Sequence, residues 1–522
     1  MRTLVDGAVD ADADAATADA DAERSTRYRW VVPVVLGAIV ALGVVLRFVQ
    51  RSPLWLDEAL SVNIARLPVN DLLDALRHDG HPPLYYLLLH YWMKLFGEGD
   101  IAVRALSGLF GVAALPLAWV AGRRLAGRSG ARWALIVVAL SPYWVRYSTE
   151  TRMYSMVMVL VLAGYLLIQD ALVKPTVLRL VGLGLISGLL LLSHYWAFYL
   201  LAAVVLILAF RWWREADTRG TTLRVGAAVV AGSVLFVPWL GGFLYQAGHT
   251  GTPWGEPFRP TAIVQTTLQD MGGGELTEAA LYGSIVLVLV LVALFTVRSA
   301  NHEMALDLRT SPIVRVELAL VMLVLGLGTV ASYLSNSTYQ SRYAAVIVPF
   351  VLLAVAVGIT RVPGLGRLLV GIVYIGFSLA GILWVNYYQR TQSDLVAGAV
   401  AARAQPGDVV VYCPDQLGPA YSRAMPDGLV ELSYPALTSP ERVDWVDYAE
   451  RNAAADPHAI AAEINERAGN HAVFVVWMSD YRTFGSQCEQ LLSELGMVEP
   501  LVIQDSTRFF EPASVHWRPA TG

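Results

Sequence analysis

The 522-residue chain predicts an α-helical protein that crosses a membrane many times and ends in a small α/β domain. Three observations carry this expectation. Hydrophobic residues make up 56% of the chain and mean hydropathy is +0.50, while charged residues are 16%, against roughly 25% in soluble domains. Apolar runs long enough to cross about 30 Å of hydrocarbon recur up to residue 386. Beyond residue 394 the texture changes to short β-rich runs alternating with helical periodicity.

Taken in order, residues 1–29 form an acidic tail. Residues 6–23 hold six Asp and one Glu in an Ala-rich tract without aromatics, which predicts disorder and explains most of the net charge of −5. No cleavable signal peptide is expected before the first span, which anchors itself. Eleven spans are predicted, near 31–49, 104–122, 133–149, 153–172, 178–194, 195–211, 224–244, 279–297, 314–334, 343–360 and 368–386. The apolar segment 82–96 reaches only about 22 Å and carries His90 and Lys94 on one helical face, so it reads as an interfacial helix.

Charge supports that count. With eleven crossings the basic stretch RRLAGRSGAR at 123–132 and the other Arg-rich connections fall in the cytoplasm, as the positive-inside bias requires. The N-terminus is then cytoplasmic and the C-terminal region lies outside the plasma membrane. On that outer surface meet the loop after the first span, the TETRMYS turn, the His194-Tyr195-Trp196 turn, the loop 245–278 and the SNSTYQSRY turn. Arg146, Arg152, Arg259 and Arg342 are exceptions to the bias. Guanidinium groups that fork onto phosphate oxygens would explain them, as would snorkelling to lipid headgroups.

Residues 387–393 read as a polar linker into the region 394–522. There, 409–412, 472–477 and 500–503 read as strands, and 394–404, 457–468 and 487–495 have helical spacing. Cys413 and Cys488 face an oxidising compartment on this reading, which leaves a disulfide and two buried thiols both open.

Three groups of residues could carry chemistry. Asp57-Glu58 stands in a first outer loop far longer than a connection needs, ahead of an amphipathic stretch 63–77 and His81-Pro82-Pro83. An acidic pair there can serve as base and orienter for a hydroxyl nucleophile, and the prolines stiffen the approach to the interfacial helix. Glu150, Arg152 and Tyr154 open another span, where Glu150 gains from the helix dipole and Arg152 pairs with it or with a ligand. Arg342-Tyr343 follows a polar turn at a third span, and with His194 could complete a pocket for a lipid phosphate. The chain has no GxxxxGK[ST], HExxH, CxxC or GxSxG motif, so nucleotide hydrolysis, zinc peptidase and serine hydrolase chemistry lack support. The centres of the spans carry no charge, which weakens a transporter reading. A non-catalytic carrier that binds the same lipid headgroup without bond transfer stays as the alternative.

The ordered set LWLDEA (54–59), HPPLYYLLLHYWMKLFG (81–97), AVR (102–104), SPYWVRYSTETRMYS (141–155) and SRY (341–343) resembles the family 39 glycosyltransferases of the C-type membrane fold. That family includes protein O-mannosyltransferases and aminoarabinose transferases. The resemblance covers about residues 30–390. It implies a sugar donor carried on polyprenyl monophosphate, transfer at the outer face with inversion, and a glycan, lipid or protein acceptor. It further implies Asp57 as the base, Glu58 as its positioning partner, and Arg152, Arg342, Tyr343 and His81 around the donor phosphate, with Glu150, Tyr154 and His194 in support. His81 stands where some relatives have Lys, so its role depends on its protonation. No cofactor, no essential metal and no nucleic-acid partner are implied.

Overall fold

The computed structural model describes residues 30–521 apart from 253–254, 275, 301–302, 336, 480 and 498–499. The acidic tail 1–29 lies outside the described residues.

Seven described helices are long and apolar enough to cross a membrane: Asp100–Ala139, Tyr154–Val173, Ala197–Arg214, Ala216–His249, Thr277–Phe295, Arg315–Leu334 and Gly364–Tyr387. Three shorter apolar helices, Val31–Leu46, Val177–Leu191 and Val348–Arg361, pack among them. The chain is a multi-pass membrane protein. The 40-residue run Asp100–Ala139 is a hairpin, because Ala126 and Gly127 leave helical geometry and Gly127 takes φ +61°, a conformation that favours glycine. Its arms close so tightly that a side chain on Gly130 would collide with the Gly122 carbonyl. The RRLAGRSGAR stretch is the tip of this hairpin.

The expected span 133–149 is interrupted. Its helix ends at Ala139, where Arg47 from the end of the first helix donates to the carbonyls of Val138 (2.7 Å) and Ala139 (2.8 Å) as well as Gly43 (2.6 Å). These are terminal carbonyls that a helix leaves unpaired. A new helix, Pro142–Ser148, then starts with Ser141 Oγ accepting from the Trp144 amide and Pro142 at its first position. The region 245–278 is likewise no simple loop, since it contains the helix Pro260–Met271 with Arg259 at its N-cap.

After the first helix the chain forms three helices, Leu56–Ala65, Val69–Asp79 and Leu84–Phe96. The last buries Tyr85, Tyr86, Leu89, His90 and Met93 while Tyr91, Leu95 and Phe96 stay exposed, the one-sided pattern of a helix lying at an apolar boundary.

The C-terminal region is a five-stranded mixed sheet in the order Val430–Ser433, Val409–Cys413, Val473–Trp477, Ser514–Arg518, Pro500–Val502, with the first three strands parallel and the others antiparallel. Helices Ser393–Ala401, Pro457–Ala468 and Gln487–Glu494 flank it. Cys413 and Cys488 are disulfide-bonded, tying the end of strand Val409–Cys413 to the last of these helices. The expected polar linker 387–393 is instead structural. Gln389–Thr391 is a strand parallel to Phe509–Glu511, and Arg390, Thr391 and Gln392 are all buried.

Candidate active site

Helix Leu56–Ala65 carries the acidic pair in its first turn rather than in a loop. Trp55, extended at ψ 174°, turns the chain into it, and the Leu56 amide donates to Glu511 Oε2 of the C-terminal region at 3.3 Å. Successive residues on a helix project about 100° apart. Asp57 and Glu58 therefore face different surroundings, and they are bonded differently.

Glu58 is fully buried. Arg104 grips it with two parallel bonds, Nε to Oε1 at 2.8 Å and Nη2 to Oε2 at 2.7 Å. Arg390 donates to Oε2 at 3.0 Å, and the Thr151 amide donates to Oε1 at 2.9 Å. Burial alone would raise this carboxyl, but the two guanidinium groups outweigh it and hold it at about 2. Arg104 and Arg390 spend their remaining hydrogens on the carbonyls of Ser52, Pro53, Arg146 and Thr149 and the hydroxyl of Thr149. Both oxygens of Glu58 are occupied, so it joins three segments of chain and fixes the base of its helix.

Asp57 keeps a partly open carboxylate, with 14% of its side chain exposed. Arg342 Nη1 donates to its Oδ2 at 2.7 Å, and Arg152 Nη2 lies 3.9 Å from the same oxygen. The three residues are 57, 152 and 342 in the chain, and the fold brings them into one cluster. Arg152 also donates to Ser61 Oγ (3.1 Å), the Tyr86 hydroxyl (3.2 Å) and His81 Nε2 (2.7 Å). An arginine keeps its protons, so His81 Nε2 must accept and its Nδ1 hydrogen points to Asp79 Oδ2 at 2.9 Å. The imidazole is thereby assigned neutral. Tyr86 donates to the same Asp79 oxygen at 2.6 Å.

An aromatic wall adjoins the cluster. The rings of Tyr154 and His194 are 5.8 Å apart, those of His194 and Tyr343 5.5 Å, and those of Tyr343 and Trp196 5.7 Å. His194 Nδ1 accepts the Trp196 amide at 3.1 Å, so its own hydrogen sits on Nε2. The Tyr154 hydroxyl is buried without a protein partner, and the Arg342 guanidinium lies over the Trp55 ring at 5.9 Å. Tyr195 points elsewhere, bonding Gln246 and Trp239.

Two expectations change here. Glu150 and Arg152 form no side-chain pair: Glu150 sits buried in a turn with Oε1 unpartnered and Arg390 4.0 Å away, and burial raises its carboxyl. Arg146 is satisfied by Asp270 at 2.7 Å rather than free for an anion. Sequence reasoning also passed over Arg390, Asp79, Ser61 and Tyr86. Arg104 stood in the AVR motif but was given no role. Asp79 had a signal, since it is two residues ahead of His81; Arg390 had none, because its partners are more than 240 residues away.

Residues 80–241 match a family model described as dolichyl-phosphate-mannose-protein mannosyltransferase. The match includes His81, Arg152 and His194 and leaves Asp57 and Arg342 outside it. No curated protein matches the chain in sequence. Among solved structures, ArnT from Cupriavidus metallidurans in the apo state superposes with a TM-score of 0.59 at 12% identity, over 94% of this chain and 98% of that one. The same protein bound to undecaprenyl phosphate gives 0.56 at 12% identity with the same coverage. The Archaeoglobus fulgidus oligosaccharyltransferase tethered with an acceptor peptide containing the NVT sequon gives 0.50 at 12% identity, over 90% of this chain and 72% of that one. Identity this low speaks to fold. The chain thus has the C-type membrane glycosyltransferase fold, and over residues 80–241 it carries the sequence pattern of the dolichyl-phosphate-mannose-protein mannosyltransferases.

Proposed function

We propose that this protein transfers a sugar from a polyprenyl-phosphate donor to an acceptor hydroxyl at the outer membrane face, with inversion and with Asp57 as general base. The observation that carries this reading is one partly open carboxylate bonded to Arg342 and approached by Arg152, beneath an aromatic wall. Undecaprenyl phosphate bound to the similarly folded ArnT supports a lipid phosphate as the natural occupant.

The step balances as follows. The acceptor oxygen attacks the anomeric carbon while Asp57 takes its proton, and the bond from that carbon to the phosphate oxygen breaks. The electron pair leaves with the polyprenyl phosphate, whose developing charge Arg342 and Arg152 neutralise through charge-assisted bonds. Attack opposite the leaving group inverts the carbon.

Without donor, Arg342 holds the base. A donor phosphate competes for that guanidinium, and its arrival would leave Asp57 free to accept a proton, so the base is armed only when sugar is loaded. Arg152 stays fixed by Ser61, Tyr86 and His81. His81 acts through Arg152 as a positioning residue, and Glu58 does the same for Asp57 through the helix. Tyr343, Tyr154 and His194 line the phosphate and sugar side.

The test is transfer and donor binding measured on purified Asp57→Asn. Loss of a general base should lower turnover by about 10²–10⁴-fold, while binding of polyprenyl phosphate persists. A carrier that moves the lipid-linked sugar without bond transfer would be little affected, and undiminished transfer by Asp57→Asn rules the proposal out.

A further inference from the structure

A second opening, a cleft of about 430 Å³, lies between helix Leu56–Ala65 and the α/β domain, within the range of small-molecule sites. Asn63 and Arg66 line it from the helix, and Arg423, Glu431 and Glu441 from the domain; Pro440 is its one apolar lining residue. No residue of the Asp57 cluster takes part.

The chemistry of this lining is distinctive. The lining holds two guanidinium groups and two carboxylates, and Glu98 and Asp100 beside the arginines add two more, so the cleft has no surplus positive charge to offer a phosphate. It has no apolar floor for an acyl chain or a large side chain. Donors and acceptors nevertheless crowd it. Arg66 is fixed by Glu98 at 2.7 Å and lies 3.9 Å from Glu441, Arg423 lies 3.6 Å from Asp100, and the Tyr412 hydroxyl bonds Glu431. Asn63 is only 5% exposed; its Nδ2 donates to the Glu441 carbonyl at 2.7 Å and its Oδ1 has no partner. A buried amide oxygen left unpaired costs stability. Closely spaced donors and acceptors without surplus positive charge suit a ligand that carries no anionic group and presents hydroxyl groups in pairs.

Placement adds to composition. Asn63 follows Asp57 by six residues on one helix, about 9 Å along the axis. Its side chain lies about 120° round the helix from Asp57, so a ligand with its reacting end at Asp57 would have to pass round the helix for its next units to reach the cleft.

We propose that the cleft binds the distal units of a neutral glycan acceptor, so that the enzyme extends or branches a polysaccharide. The word acceptor rests on the transferase reading above; the binding of neutral glycan does not.

The test uses the full-length protein in lipid nanodiscs, with neutral tetrasaccharides of gluco, manno, galacto and arabino configuration as probes, read by saturation-transfer NMR and by titration. At least one should bind, and Glu441→Gln and Asn63→Asp should each weaken it by about tenfold, a loss of roughly 1.4 kcal/mol, with undecaprenyl-phosphate binding unchanged. The Glu441 side chain is 59% exposed, so its isosteric replacement leaves the fold intact; Asn63→Asp removes the donor to the Glu441 carbonyl, so its unfolding midpoint is measured alongside. Absence of binding by all four probes, binding indifferent to both variants, or displacement of the probe by a Ser/Thr-rich peptide adding to the edge strand Val430–Ser433 would each overturn the proposal. Asp57→Asn separates the two readings. Full turnover in that variant with variant-sensitive glycan binding removes the transferase and keeps the cleft, whereas lost turnover without glycan binding removes the cleft and keeps the transferase.

Discussion

Asp57 and Glu58 are neighbours of the same chemical kind, and their environments divide the work between them. Glu58 is enclosed by Arg104 and Arg390, so removing its charge would strand two buried guanidinium groups. Breaking one side of such a buried pair costs about 3–5 kcal/mol, and Glu58→Gln is expected to reduce the unfolding free energy of the purified protein by that order. The pH dependence follows from the depressed carboxyl. Its folded value of about 2 lies below the ordinary 4.5, so its contribution is complete above 4.5 and is lost as pH falls from 4.5 towards 2. Unfolding curves of wild type should show that acid-dependent loss, and those of Glu58→Gln should lack it. The doublet was legible in the sequence as a place for chemistry. The division between the two acids was implied by the family resemblance alone; its physical cause, Arg390, lies 332 residues further on, inside a stretch whose polar composition reads as linker.

Among the elements, strong apolar periodicity was easy to read: the span expected at 153–172 is the helix Tyr154–Val173, and 457–468 is Pro457–Ala468. Elements fixed by distant partners were not. The break at Leu140 depends on Arg47 taking the carbonyls of Val138 and Ala139, and the strands Gln389–Thr391 and Phe509–Glu511 exist only through each other. The turn Asp415–Leu417, just after the strand Val409–Cys413, gives an element-level prediction. Burial pushes the Asp415 carboxyl up to about 7, against the opposing bond from the Tyr448 hydroxyl at 2.5 Å. Because the folded value lies above the ordinary 3.8, the folded state loses stability as pH rises from 3.8 to about 7 and stays at that lower level above it. Asp415→Asn keeps an acceptor for Tyr448 and never ionises. Thermal unfolding of the full chain should show Asp415→Asn more stable than wild type at pH 8 and equal to it at pH 4; a constant difference across that range would contradict the assignment.

Across the whole molecule, one helix arm sets the sidedness on which the chemistry depends. Arg104, bonded to Glu58, and Arg123, near the hairpin tip, are separated by 19 residues of helix, about 29 Å at 1.5 Å per residue. That is close to the thickness of the hydrocarbon core, about 30 Å. The acidic cluster and the basic tip therefore belong on opposite faces, and from the excess of arginine at the tip we propose that the tip faces the cytoplasm. The Cys413–Cys488 bond fits the same orientation, since such bonds persist in oxidising compartments. It also supplies the test. With both cysteines bonded, wild type offers no free thiol, so single introduced cysteines report without background. Asp427→Cys, at an exposed position of the α/β domain, should react with a membrane-impermeant maleimide in intact cells, and Arg128→Cys, exposed at the hairpin tip, only after permeabilisation. The reverse pattern would put Asp57 in the cytosol, on the face opposite the one where the proposed transfer takes place, and would remove the basis for reading Asp57, Arg152 and Arg342 as one transferase site.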